Sequence, residues 1–312
     1  MDETLKKIAT NSLSRRGFLA SAGVASAATL IGCGDSTPVT STLPTAPAAV
    51  PVSDIDILNF ALNLEYLETE FYLRAVTGSG IPAADGGGAS VTIKSGKVSF
   101  SNTFFQQFAF EIAQTELQHV RAIRATITAL GGTPIAAPAL NYTDAFNNVA
   151  FQAGLTSFDP FASDYNYLVG ALAFEEVGVS AYTGAAKLIS ATAVLDAAAG
   201  IQAAESYHAG AIRTILAGNS ISSGSTANLN AYNSILQLFN KLDPNNHVTL
   251  LTAGGATTGS TVVTADTTNA IAYARTTDQV LHIAYGTMPG TYTASGGFFP
   301  GGLNGNIKAP TT

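Results

Sequence analysis

Glu116-Leu117-Gln118-His119-Val120-Arg121-Ala122-Ile123-Arg124 and Glu205-Ser206-Tyr207-His208-Ala209-Gly210-Ala211-Ile212-Arg213 decide how this chain reads. Three residues along an α-helix turn through about 300°, so each Glu and its His stand on one face, one turn apart. A carboxylate and an imidazole placed that way can grip one ion together. One such pair is common on surface helices. Two in one chain, with Ala122, Ile123 and Arg124 matched by Ala211, Ile212 and Arg213, are a repeat.

The repeat extends outward. Glu65 precedes Tyr72 by seven residues, and Glu175 precedes Tyr182 by seven. Each half therefore offers a helix with a lone Glu, followed by a helix with Glu-x-x-His. The duplication predicts a pseudo-twofold axis through the middle of a bundle. Glu65, Glu116, Glu175 and Glu205 all fall on or beside apolar stripes. Four carboxylates in one dry core repel each other and lose their hydration, at a cost of roughly several kcal/mol each. Two divalent cations cancel the four charges, and His119 and His208 add one neutral nitrogen per ion. Oxygen-rich ligation with one imidazole each suits iron or manganese, and the only Cys, at position 33, leaves no sulfur site.

Four long helices frame these residues. Ser53 or Asp54 caps a first helix to about Val76. Val91 to Phe100 alternates around Ser95-Gly96 and predicts a small hairpin. A second helix covers about Asn102 to Leu130, and residues 133–160, with several prolines, read as a long connection. A third helix runs from about Phe161 to Ile189 and a fourth from about Ala193 to Ala217. This is an all-α, four-helix bundle with one long crossover. Beyond it, Leu229 to Leu242 predicts a short helix, Val248 to Ala265 short strands, and Thr276 with Gln279 a capping box for a helix ending at Gly286. Gly296 to Thr312 reads as loop. Residues 53–218 thus form the bundle, and 219–312 an irregular C-terminal extension packed on it.

The N-terminus reads as an address. Lys6, Lys7, Arg15 and Arg16 precede an apolar run from Gly17 to Gly32 that is short for a membrane span. Ser14-Arg15-Arg16-Gly17-Phe18-Leu19 resembles a twin-arginine export signal, and Leu30-Ile31-Gly32-Cys33 a lipobox. Residues 1–32 are then an export signal, Cys33 a lipidation site, and 33–52, rich in Ser, Thr, Pro and Ala, a flexible tether. The expected location is the periplasm or cell envelope, with the lipid at Cys33 as the membrane contact. Of 312 residues 46% are apolar and 11% charged, enough for a sizeable core. Net charge is −7 with no basic run past the N-terminus, which argues against nucleic acid as a partner.

The paired Glu-x-x-His helices, each preceded by a Glu helix, resemble the ferritin-like di-iron and di-manganese carboxylate proteins. The closer similarity is to the ferritin-like family that includes desiccation-related proteins. It is carried by Phe60-Ala-Leu-Asn-Leu-Glu65-Tyr-Leu-Glu-Thr-Glu-Phe-Tyr72, by Glu175-Glu-Val-Gly-Val-Ser-Ala-Tyr182, by Gln279-Val-Leu-His-Ile-Ala-Tyr-Gly286 and by Gly297-Phe-Phe-Pro-Gly-Gly-Leu-Asn-Gly305. The resemblance spans about 53–305 and implies Glu65, Glu116, His119, Glu175, Glu205 and His208 as ligands of two Fe or Mn ions. Glu68, one turn from Glu65, ranks as an alternative ligand. Glu176 is expected to face away from the cluster, Glu111 to lie at the surface or behind the ligands, Arg124 and Arg213 to sit at solvated helix ends, and His247 and His282 to be structural.

Three functions follow as expectations. The first is redox chemistry on peroxide or oxygen at the cell envelope, in the manner of a manganese catalase or a small-molecule oxidase. The second is a non-enzymatic stress or binding protein whose metals only pin the bundle. Iron storage ranks last, because a tethered chain with a large extension suits a closed cage poorly. The residues are silent on Fe against Mn and on whether the chain forms a homo-oligomer.

Overall fold

The computed structural model describes residues 52–223, 227–243, 262–266 and 269–311. The export signal, Cys33, most of the tether, His247 and nearly all of the expected 248–265 strands lie outside the described residues. Four long helices form the bundle: α1 (Asp54–Thr77), α2 (Thr103–Ala129), α4 (Asp164–Ala185) and α5 (Thr192–Ser223). Between α2 and α4 the crossover carries α3 (Tyr142–Gln152), and the extension carries α6 (Ala227–Leu242) and α7 (Thr277–Tyr285). None of the described helices is long and apolar enough to cross a membrane.

Caps set most of the helix starts. Ser53 and Asp56 form a reciprocal capping box on α1, and Gly78 closes its other end in the left-handed conformation at φ 81°. Asn102 caps α2, Ser163 caps α4, and Thr276 with Gln279 boxes α7. Two contacts at the helix ends then fix the helix directions. Asp164 accepts hydrogen bonds from Ser101 and Asn102, so α2 and α4 start at one end. Asp54 accepts from Ser190 and Ala191, so α1 and α5 start at the other. The crossover must therefore run the full length of the bundle.

Two expectations are corrected here. The Val91 region forms no hairpin. Val91–Thr92 (β1) pairs in parallel with Leu140–Asn141 (β2), which ties the α1–α2 loop to the crossover. The crossover itself is partly helical: Tyr142, Ala145, Phe146, Val149 and Ala150 recur at helical spacing and are all buried. Their side chains join Phe71, Tyr167, Phe174 and Phe298 in an aromatic core, with Phe71 stacked on Tyr167 at 5.6 Å.

α4 is buried nearly all round, because α1 and α5 cover one side and α3, α6 and α7 the other. Two buried ion pairs bolt the extension down. Arg213 of α5 pairs with Glu176 of α4, which also accepts from Tyr232 and Thr264. Arg275 pairs with Asp243 at 3.1 Å, and donates to Ser180 Oγ at 2.6 Å. Arg213, 1% exposed, is thus no solvated helix end. Glu176 does turn away from the bundle axis, but into the extension. Removing one partner of a buried pair leaves a bare charge. Arg213→Met should cost about 3–5 kcal/mol in urea unfolding, and adding Glu176→Leu should recover most of the loss. Equal stability of the Arg213→Met variant and wild type would contradict this account.

Candidate metal centre

The six residues picked out by the duplication converge at the middle of the bundle. Glu65 comes from α1, Glu116 and His119 from α2, Glu175 from α4, and Glu205 and His208 from α5. The four carboxylates are 0% exposed and His119 7%. Two overlapping groups form. Ligand atoms of Glu65, Glu116, His119 and Glu205 lie within 4.8 Å of one another, and so do those of Glu116, Glu175, Glu205 and His208. Glu116 and Glu205 belong to both groups, so they could bridge two ions, while each remaining Glu and each His belongs to one. The six side chains therefore form two adjacent groups that could each hold a cation.

Both imidazoles present Nδ1 to the cluster. His119 Nδ1 lies 3.4 Å from Glu65 Oε2, 3.5 Å from Glu116 Oε2 and 3.3 Å from Glu205 Oε1. His208 Nδ1 lies 3.1 Å from Glu116 Oε1 and 3.4 Å from Glu175 Oε2. Glu116 thus turns one oxygen to each half. The rings stand 6.3 Å apart.

Hydrogen bonding separates the roles further. Tyr72 Oη donates to Glu175 Oε1, and Tyr182 Oη donates to Glu65 Oε1 at 2.5 Å. Each tyrosine reaches across the pseudo-twofold axis to the other half's lone Glu. That leaves Oε2 of Glu65 and of Glu175 turned inward without a partner. Both oxygens of Glu116 and of Glu205, and Nδ1 of both histidines, are also without partners. Among the described residues, twelve buried side-chain N or O atoms lack a hydrogen bond, and eight belong to these six residues. Buried polar atoms are otherwise nearly always satisfied. Eight converging orphans, all competent ligands, fit a pair of divalent cations.

The electrostatics describe the cost of the cluster without cations. Burial lifts Glu65 to about 7 against the pull of His119. Burial, and then the charges of Glu116 and Glu175, lift Glu205 well above the carboxylate range. Burial alone would lower the histidines, but the carboxylates around them reverse this. His119 rises far above its ordinary value and His208 rises to about 11. Without cations, the carboxylates thus draw the protonated form of both imidazoles into the cluster.

Among the residues ranked below these, Glu111 is exposed, and Arg124 donates to Tyr66 and to the Ile135 carbonyl. His282 is buried, with Nδ1 3.2 Å from Thr287 Oγ1, and belongs to neither ligand group. Glu68 is 4% exposed, and burial followed by the charges of Glu205, Glu116, Glu65 and Glu175 pushes its carboxyl well up. It belongs to neither ligand group. Composition and periodicity gave no sign of Gly178. A Cβ at that position would overlap Glu205 Oε2 and stand 3.1 Å from Glu68 Oε1.

Two predictions follow from this geometry. Both histidines must be neutral to ligate. Loading two divalent ions at neutral pH should therefore release about two protons, and affinity should fall as pH falls. Calorimetry in buffers of different ionisation enthalpy measures this; proton-neutral binding would refute it. The sign for stability is the reverse. The raised histidines stabilise the metal-free fold fully below their unfolded value near 6.5, and that contribution is lost as pH rises through the folded values. Gly178→Ala tests the bridging position. Ala is ordinarily better than Gly in a helix by about 1 kcal/mol. Here the methyl would displace the end of Glu205, so the variant should keep its helix content yet bind fewer than two ions per chain. Circular dichroism and elemental analysis check both halves of that statement.

Residues 53–218, more than half of the chain, match the family described as "Ferritin-like domain". The chain is 30% identical over 173 residues to the desiccation-related protein PCC13-62 of Craterostigma plantagineum, a match covering 54% of each chain. It is 28% identical over 277 residues to the ferritin-like catalase Nec2 of Nesocodon mauritianus, covering 83% of this chain and 86% of that one. The chain spans about half the length of the first of these relatives and most of the second. With an all-α bundle, a full-length crossover and a central carboxylate–imidazole cluster already in place, the match over 53–218 means that this chain belongs to the ferritin-like domain family.

Proposed function

We propose that this protein is a dinuclear iron or manganese oxidoreductase acting on peroxide, in the manner of a catalase. The observation that carries the reading is the set of eight partnerless ligand atoms aimed at two adjacent positions in a dry core. Two bound iron or manganese ions would supply the paired one-electron changes that peroxide disproportionation needs. Glu116 and Glu205 would hold the ions at a common distance, and His119 and His208 would give one nitrogen to each. Tyr72 and Tyr182 hold one oxygen of Glu175 and of Glu65 by hydrogen bonds, which would leave the other oxygen of each to take part in holding an ion. The four carboxylates are fully buried, which limits competition from bulk water at the cluster. The relative named a ferritin-like catalase matches over most of both chains, which supports the same reaction class.

The proposal extends to place. The twin-arginine and lipobox motifs of residues 14–33 support export and attachment of Cys33 to a membrane by lipid. That route carries folded proteins, which suits a chain that must gather its metals before leaving the cytoplasm.

A second reading is supported by the relative named a desiccation-related protein: the metals would only pin the bundle of a stress protein. Metal analysis with oxygen evolution from peroxide separates the two. In the first reading the loaded protein evolves oxygen, Glu116→Ala abolishes turnover, and Tyr72→Phe lowers it by roughly 10–100-fold. Full occupancy by two ions without turnover on peroxide would rule for the second.

A further inference from the structure

α2 and α5 run in opposite directions and approach each other far less closely than α1 and α2 or α4 and α5. Helix spacing tells which side chains line the seam between them. On α5, Ala211 and Ile215 lie one and two turns beyond His208, on the same stripe. On α2, Phe108 lies three turns before His119, within roughly 20° of its stripe. Because the helices are antiparallel, these residues meet on one side of the histidine pair. An open groove of about 470 Å³ lies there, with Phe104, Phe108, Tyr207, Ala211, Thr214 and Ile215 in its walls. Its volume is that of sites that hold a small organic molecule.

The walls say what kind of molecule. Phe104 is 61% exposed and Tyr207 79%, so the chain leaves two large rings uncovered beside one groove. Phe104 and Phe108 stand nearly parallel, 9° apart, and present a flat aromatic wall. No Asp, Glu, Lys, Arg or His stands among the described residues that line the groove, while Ser206 and Thr214 contribute hydroxyl oxygens. A charged guest would lose hydration there and gain no counter-ion. An uncharged ring would gain stacking partners. The seam also holds a free hydrogen-bonding position. His208 turns Nδ1 to Glu116 and Glu175, so its Nε2 points away from them, and its side chain is 11% exposed. A histidine that ligates a metal through one nitrogen ordinarily donates the other N–H to an acceptor. No group among the described residues accepts from Nε2 of His208.

We propose that this groove binds an uncharged phenol and that the protein oxidises it with peroxide. The ring lies between the Phe104–Phe108 wall and Tyr207, and the phenol oxygen accepts from Nε2 of His208. The activity rests on the peroxide reading above; the binding site does not. One peroxide and two phenols give two waters and two phenoxyl radicals. The O–O bond of peroxide breaks. Each phenol loses the electron and the proton of its O–H. The electron crosses the His208 imidazole to the centre, and the proton leaves to water at the open seam. Two protons taken up from water complete the waters formed from peroxide.

Binding is tested without turnover. In protein loaded with zinc, which has no redox chemistry, the fluorine NMR signal of 4-fluorophenol should shift and broaden. Phe104→Ser and Tyr207→Ser, both at exposed positions outside the cluster, should each weaken that binding about tenfold. Fluorobenzene, the same ring without the hydroxyl, should bind several-fold more weakly than the phenol. Activity gives the second readout. With iron or manganese bound, both variants should keep two ions per chain and wild-type oxygen evolution, yet lose about tenfold in kcat/KM for phenol oxidation. An unmoved fluorine signal overturns the site, as does binding that both variants leave unchanged. Equal binding of fluorobenzene overturns the hydrogen bond to His208. A dimer in sedimentation that Tyr207→Ser dissociates also overturns the site, because the groove would then be an interface between copies. Oxygen evolution without phenol oxidation overturns the proposed activity and keeps the peroxide reading. Phenol binding in a protein inert towards peroxide leaves the site standing and removes that reading, so the two failures are distinguishable.

Discussion

Charge neutrality in a dry interior governs this fold. Glu65, Glu116, Glu175 and Glu205 are all fully buried at one level of the bundle. At such separations in a protein interior, carboxylates repel by several kcal/mol per pair even with generous screening. Among the described residues, the cationic groups within ion-pair distance of these carboxylates are His119 and His208, both drawn toward the protonated form. Eight polar atoms of the cluster are still left without hydrogen bonds. Two divalent metals would neutralise all four carboxylates and satisfy the same atoms. Bundle, caps and crossover can thus be understood as the apparatus that holds unfavourable charges in place until cations arrive.

The duplication explains how so few residues achieve this. Each half contributes a lone Glu, a Tyr about two turns further along the same face, and a Glu-x-x-His. Bringing the halves together puts Tyr72 onto Glu175 and Tyr182 onto Glu65. The halves are therefore cross-strapped: neither lone Glu is oriented by its own helix pair. A half on its own would have its carboxylate free to rotate. Correct ligand orientation is a property of the assembled bundle, which couples the site to the completion of folding.

Much of this was legible in the sequence, for a definite reason. Helix spacing fixes which side chains share a face, so Glu116 with His119 and Glu205 with His208 declare their geometry locally. Ser53, Asn102 and the Thr276–Gln279 box likewise act within one turn. What could not be read depends on partners distant in sequence. Val91 pairs with Leu140, so its alternation suggested a hairpin that has no local counterpart. Glu176 and Arg213 are buried only because Tyr232 and Thr264 of the extension enclose them. The helix α3 had a local signal in Tyr142, Ala145, Phe146, Val149 and Ala150. Pro134, Pro138 and Pro160 around it, and the polar Asn147 and Asn148 within it, obscured the pattern. Glu68 is the sharpest case. Its spacing from Glu65 is that of a co-ligand, and the residue whose missing side chain makes room for it, Gly178, lies on another helix.

The extension gives the centre two unlike sides. On the α2–α5 side the histidines are the shallowest members of the cluster, with side chains 9% and 11% exposed. On the α1–α4 side α3, α6 and α7 add a further layer, and the space beside Glu68 is lined almost wholly by apolar groups. A bare duplicated bundle would treat its two open seams alike. Covering one seam makes that side the low-dielectric one, where a single hydrogen bond or charge weighs more than it would near solvent. The two buried arginines maintain that asymmetry. Arg213 donates to the Val262 carbonyl and pairs with Glu176, which accepts from Thr264, and Arg275 ties Asp243 to Ser180. The layer over α4 is thus held by polar contacts that only the folded extension completes.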